Sequence, residues 1–281
     1  MLKQRIITAL VLLAVLLPAL FAQNPVYFDA IALIFIAAAG WEWARLNGLG
    51  MGAAWAAGAV CSLSCAAMWW LGLPGQMLPR LWLASGAAWV LLGAWTLRAG
   101  VAAWHCYPRV LRLVLGLLAL CLTWLAVAQA RHIGVNFLLS VLALVWTADI
   151  AAYFAGRALG GRFIRRKLAV AISPGKSWEG VFGGMAGVAL LAFGWRHVDQ
   201  LTGATVLSLY SYVGVRGTWF LLAVVVFMAA MSVVGDLVES LVKRSAGAKD
   251  SSALLPGHGG VLDRVDALLP TLPLAMMLYS L

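Results

Sequence analysis

Nine apolar runs constrain this chain more than any other feature, near residues 6–22, 27–43, 53–72, 80–97, 110–129, 134–155, 178–195, 218–238 and 265–280. A helix needs about 20 apolar residues to cross a bilayer, and the sequence supplies that length repeatedly. Hydrophobic residues make up 64% of the chain and mean hydropathy is +0.95, which excludes an ordinary soluble domain. The expected fold is all-α: a polytopic integral membrane protein with about nine transmembrane helices. The seventh run is short, and the ninth contains Pro270 and Pro273, which membrane helices tolerate.

Basic residues test that arrangement independently. With the N-terminus in the cytoplasm, sixteen of the 20 lysines and arginines fall inside, leaving Arg80, Arg131, Arg196 and Arg216 outside. The expectation is a multi-pass protein of the cell inner (cytoplasmic) membrane, with the C-terminus external. The net charge of +10 points to an anionic membrane surface and anionic substrates, not to nucleic acid. Lys3 and Arg5 before Ile6–Ala22 have the look of a signal peptide. Cutting after Ala22 would place Leu20 at −3, so an uncleaved first helix is expected. Cys61 and Cys65 lie at i, i+4 without a nearby histidine, and Cys106 and Cys121 show no partner pattern. All four read as small apolar filler rather than a zinc site. His132 and His197 belong to no motif and read as external surface residues.

Polar chemistry is unevenly distributed. Residues 1–130 contain only two acids, Asp29 and Glu42, and read as a transmembrane scaffold of about five helices. Residues 131–281 contain the other eight and read as the catalytic region with its cytoplasmic loops. Glu42 and Arg45 are one turn apart, so a pair is expected there. In the sixth run Asp149 lies two turns before Arg157, roughly 12 Å from the helix end. It needs a partner or a metal at that depth, and Tyr153, at i+4, is on the same face. Farther on, Ser173-Pro-Gly-Lys176-Ser177 forms a tight turn before a helix. Val170 replaces the glycine a Walker loop requires. What remains is a lysine beside free backbone N–H groups, a suitable phosphate subsite with Ser177 as N-cap. Gly180/Gly184 and Gly183/Gly187 are small-xxx-small pairs, serving either the fold or a homodimer.

The densest charge lies in Ser240–Asp266, which holds Lys243, Arg244, Lys249, Asp250, His258, Asp263, Arg264 and Asp266 in a chain that is only 11% charged. Just before it, Asp236, Glu239, Ser240 and Lys243 share one helix face by i, i+3, i+4, i+7 spacing. Asp263 and Asp266 open the ninth run from the same side of the membrane, with His258-Gly259-Gly260 between. Magnesium binds through one or two carboxylates plus substrate phosphates, and Asp236 and Asp263 are the expected ligands.

The order Ser240-x-apolar-Lys243-Arg244, then Lys249-Asp250, then His258-Gly259-Gly260-apolar-x-Asp263-Arg264-x-Asp266 resembles the signature of the bacterial phosphatidate cytidylyltransferase (CDP-diacylglycerol synthase) family. The stretches Trp146–Tyr153 and Ser173–Gly180 are similar to others recurring there, so the resemblance covers roughly residues 140–270. It implies transfer of CMP from CTP to phosphatidate, giving CDP-diacylglycerol and pyrophosphate. It implies catalytic roles for Asp236, Ser240, Lys243, Arg244, Lys249, Asp250, His258, Asp263, Arg264 and Asp266. Substrate contacts are implied for Ser173, Lys176, Ser177, Gly259 and Gly260, and the metal sites match Asp236 and Asp263 with Mg2+, a second cation being left open. His258 need not act as a base, because the attacking phosphate monoester is already anionic near pH 7. Two competitors are a CTP-dependent lipid or prenol kinase and an ion-coupled transporter using Asp149. A transporter should carry charge at the midplane of several helices, whereas here it crowds the cytoplasmic ends.

Overall fold

Each apolar run becomes a helix in the computed structural model, which describes residues 2–281. The long helices are α1 (Leu2–Phe21), α2 (Val26–Leu46), α3 (Met51–Trp70), α4 (Pro79–Ala99), α5 (Arg109–Ile133), α6 (Val135–Leu159) and α7 (Trp178–Thr202). There follow a short α8 (Leu209–Gly214), the long α9 (Thr218–Ser245), a single turn α10 (Leu262–Val265) and α11 (Leu268–Tyr279). No β-strand occurs among the described residues.

Among the described residues seven helices are long and apolar enough to cross a membrane: α1, α2, α3, α5, α6, α7 and α9. Of the other two expected crossings, α4 has the length, at 21 residues, but a lower apolar content. The ninth run is broken. Its α11 has 12 residues, roughly 18 Å at 1.5 Å per residue. Pro270 has no N–H to offer the carbonyl of Asp266, so the ladder opens between α10 and α11. Gly235 on α9 packs into that opening, where an added Cβ would lie 2.5 Å from the Asp266 carbonyl oxygen and 2.8 Å from Pro270.

The outer surfaces are hydrocarbon: Leu63, Leu91, Val110, Leu190 and Trp219 are all exposed. In water this would drive aggregation; in a bilayer it is the lipid-facing rim. The buried core is continuous from α1 to α11. Within it α7 lies closely on α6. Gly183 and Gly187 meet Ala155 and Ala151, while Gly180 and Gly184 approach the carbonyls of Ala152 and Ala148. Both small-residue pairs therefore serve the chain's own fold.

Two local expectations need correction. Cys121 does have companions, since its sulfur lies 3.5 Å from that of Cys61 and close to Cys65, all three buried. Their spacing was invisible because Cys121 comes from α5 and the others from α3. His132 is no idle surface residue either, because its Nε2 is 3.1 Å from the Asp29 carboxylate. A second polar clasp gathers Asn136, Ser208 and Ser211 on Asp199, joining α6 to the end of α7.

Candidate active site

The functional groups collect where α6, α7, α9 and α10 end on one side of the bundle. Ser177 caps α7, its Oγ accepting from Gly180 N–H at 3.2 Å, as its position before the helix predicts. The turn closes through Lys176 N–H to the Ser173 carbonyl at 3.2 Å, and this aims Lys176 at α9. Its ammonium meets the Asp236 carboxylate at 2.5 Å. Ser240, one turn on, donates to the other Asp236 oxygen at 3.2 Å. Lys176, Ser177 and Asp236 face a cavity of about 500 Å³ that Asp149, Tyr153 and Arg157 line from α6. Tyr153 does not serve Asp149 as expected; its hydroxyl accepts from Arg157 at 3.3 Å. Asp149 instead lies within electrostatic reach of Asp236, Lys176 and Arg264.

A second pairing lies beside the first. Lys243 bridges Glu239 and Asp263, 2.6 Å from each. Asp263 also accepts from Gly260 N–H at 2.7 Å and from the Ser251 amide and hydroxyl, each at 3.0 Å. Those bonds occupy essentially every lone pair a carboxylate offers. Among the described residues Asp266 accepts only from the following amide, at 2.7 Å, and it lies within electrostatic reach of Asp236 and Asp149.

The glycine pair explains itself in this setting. Gly259 has φ +81°, and a Cβ there would stand 2.6 Å from Asp263 Oδ2. At Gly260 a Cβ would collide with Ser251 and with Glu42. Glu42 is the residue the sequence reading misplaced. It leaves Arg45, which stacks on Trp41 at 5.2 Å. Fully buried in α2, Glu42 accepts from Ser252 Oγ at 2.5 Å, Ser251 Oγ at 3.1 Å, Val261 N–H at 3.0 Å and Leu262 N–H at 2.6 Å. The loop that presents Asp263 is thus tied down by an acid from the first half of the chain. Its only sequence signal was a lone acid in an otherwise apolar run. From α1, Arg5 and Thr8 hold the same loop through the carbonyls of Gly257 and Pro256, both at 2.9 Å.

The remaining expected residues divide into supports and open groups. Arg244 donates to the carbonyls of Ile172 at 3.3 Å and Ala248 at 3.1 Å, joining two loops. Arg264 holds the His258 carbonyl, with Nη2 at 2.6 Å. The buried Nδ1 of His258 has no partner among the described residues. Lys249 and Asp250 are exposed on the loop after α9. Glu179, unassigned before, accepts from the amides of Gly161, Phe163 and Ile164 and so orders the basic segment after α6.

Lipid-facing helices ending in a pocket of paired lysines and carboxylates define a membrane-embedded enzyme of phosphate-containing substrates. The chain belongs to the cytidylyltransferase family, whose model matches residues 3–281. It is 39% identical to the phosphatidate cytidylyltransferase of Pseudomonas aeruginosa, over 100% of this chain and 98% of that one. To the Haemophilus influenzae phosphatidate cytidylyltransferase it is 37% identical, covering 99% of each. The Thermotoga maritima protein of the same name is 37% identical over 54% of this chain and 52% of its own length. The family read from Ser240–Asp266 is therefore the family of the whole chain.

Proposed function

We propose that this chain transfers CMP from CTP to phosphatidate, releasing pyrophosphate and leaving CDP-diacylglycerol in the membrane. The observation that carries this activity is the pairing of Lys176 with Asp236 and of Lys243 with Asp263 at one end of the bundle, in a chain matched end to end by phosphatidate cytidylyltransferases. The phosphatidate monoester is already anionic near neutral pH, so no residue need deprotonate it. Its oxygen bonds to the α-phosphorus of CTP while the bond to the pyrophosphate oxygen breaks. Negative charge gathers on the departing pyrophosphate, and positioned cations lower the barrier by meeting it there. Lys176 and Lys243 are the cations at hand, the first held by one carboxylate and the second by two, contacts that a phosphate can replace. The acyl chains stay in hydrocarbon throughout, so the lipid need not be extracted.

Mg2+ is the proposed cofactor, with a second cation left open, and Asp236 and Asp263 are the proposed ligands. The donor chemistry fits a hard divalent ion, which takes oxygen ligands from carboxylates and phosphates. Asp149 and Asp266 place further carboxylates near Asp236. To bind a cation Asp263 would have to release Lys243 and Asp236 would have to release Lys176, but Asp236 already lines the cavity. When bound, the ion supplies positive charge to the phosphates. The proposed topology has nine crossings, with α10 and α11 together as the last, the N-terminus cytoplasmic and the C-terminus external.

Membranes containing the protein, given phosphatidate, Mg2+ and CTP labelled at the α-phosphate, should incorporate the label into lipid. Incorporation from γ-labelled CTP alone would identify a lipid kinase and overturn the assignment.

A further inference from the structure

A second cavity, of about 160 Å³, opens between α4, α5 and α9. Its lining is almost wholly apolar and includes Leu92, Leu115 and Leu118, which are also exposed on the lipid-facing rim. The cavity therefore communicates with hydrocarbon. Along α4 its walls run from Ser85 to Thr96, roughly 16 Å at 1.5 Å per residue, a length along which an acyl chain can lie, partly in the cavity and partly on the exposed rim.

Trp43 and Trp104 line this groove, and Arg112 lies just behind them, outside the lining itself. Its guanidinium sits 5.8 Å from the Trp104 ring centroid, and its carbonyl accepts from Trp43 Nε1 at 3.1 Å. Arg112 is only 8% exposed. No carboxylate pairs with it among the described residues, and its buried Nε lacks any hydrogen-bond partner. An uncompensated cation is unfavourable in such a place. The planar fork of a guanidinium matches a phosphate, and the bilayer offers phosphate and acyl chain on one molecule.

We propose that this groove is a second lipid site, which holds an acyl chain of an anionic phospholipid along α4 and α5 with its phosphate on Arg112. The occupant is not the reacting lipid. The two cavities share no lining residue. On α9 the polar cavity touches Val233 and Asp236 and the groove touches Val238 and Glu239, pairs roughly 140° apart around a helix of 3.6 residues per turn. Because Glu239 pairs with Lys243 at 2.6 Å, a seated chain touches the back wall of the active site.

The test uses full-length protein in nonionic detergent, titrated with dioleoylphosphatidylglycerol and followed by tryptophan fluorescence and native mass spectrometry. One phosphatidylglycerol should be retained, more tightly than phosphatidylcholine of the same chains, and inorganic phosphate should not displace it. Arg112→Gln should weaken binding by about tenfold, the loss of one charge-assisted contact, and Arg112→Lys should recover part of it. Ala88→Phe, at the exposed rim of the groove, should weaken both lipids. Equal phosphatidylglycerol affinity in the wild type, Arg112→Gln and Ala88→Phe overturns the site. Displacement by inorganic phosphate overturns the lipid as occupant. An increased KM for phosphatidate in Arg112→Gln, measured in phosphatidylcholine micelles with phosphatidylglycerol binding unchanged, assigns the groove to the substrate instead.

Discussion

Glu42 brings four donors of the 251–262 loop onto one buried carboxylate, and its replacement separates loop geometry from charge. In Glu42→Ala the Val261 and Leu262 amides lose their acceptor, at about 1–3 kcal/mol for each buried donor. The expected result is a fall in kcat of at least about tenfold, with Glu42→Gln intermediate because one acceptor oxygen survives. Steady-state kinetics on protein matched for membrane abundance would reveal it, and full activity in Glu42→Ala would contradict the clamp. Asp236→Asn keeps the shape but removes the charge opposite Lys176; it should retain less than about a tenth of wild-type rate, a barrier rise above ~1.4 kcal/mol. Lys249 is exposed and free of carboxylate partners among the described residues. If it meets substrate phosphate, Lys249→Gln should raise the KM for CTP or phosphatidate without shifting the Mg2+ needed for half activity. Unchanged kinetics would make it a solvated loop residue. The residues of the 240–266 motif were legible because they lie close in sequence and mix cations, acids and glycines in an apolar chain. Glu42 was not, because its partners are 209 to 220 residues away and nothing local distinguishes it from half of a helical ion pair.

Helix positions followed directly from the apolar runs, which mark where backbone must satisfy itself inside lipid. Their partners did not follow. The glycines of α7 announced a close approach but not whether α6 or a second copy would supply it. The α6–α7 contact predicts an asymmetric response. Gly183→Leu drives a side chain into Ala155 and should destabilise by about 1–3 kcal/mol or more. Gly194→Ala, with nothing within 4 Å of its added Cβ, should be neutral or slightly favourable. Thermal unfolding of the purified variants distinguishes the two, and equal midpoints would remove the tight contact. The shortness of α11 was concealed because hydropathy counts Pro270 as merely tolerable, whereas its effect is on a particular carbonyl, that of Asp266, beside the site.

For the molecule as a whole, charge asymmetry sets the expected orientation. After replacement of the exposed Cys106, a cysteine introduced in the 245–255 loop should react with an impermeant thiol reagent only once the cytoplasmic face is opened. One introduced at 200–210 should react in intact spheroplasts. The reverse pattern would invert the protein and deprive CTP of its access. Across residue 130 the packing is continuous: α11 lies against α4 and α5, and the core runs through both halves.

The ties from Arg5 to Gly257 and from Glu42 to Leu262 also have a consequence for biosynthesis. They span 252 and 220 positions of the sequence, so the loop carrying Asp263 cannot meet its anchors until residues 257–262 have left the ribosome. Chains arrested before that loop would sit in the membrane as inert helices. Residues 131–281 expressed alone should likewise be inactive, and co-expression with residues 1–130 should restore turnover. Early residues thus complete a loop made 220 to 252 residues later, and translation itself times the first catalytic cycle.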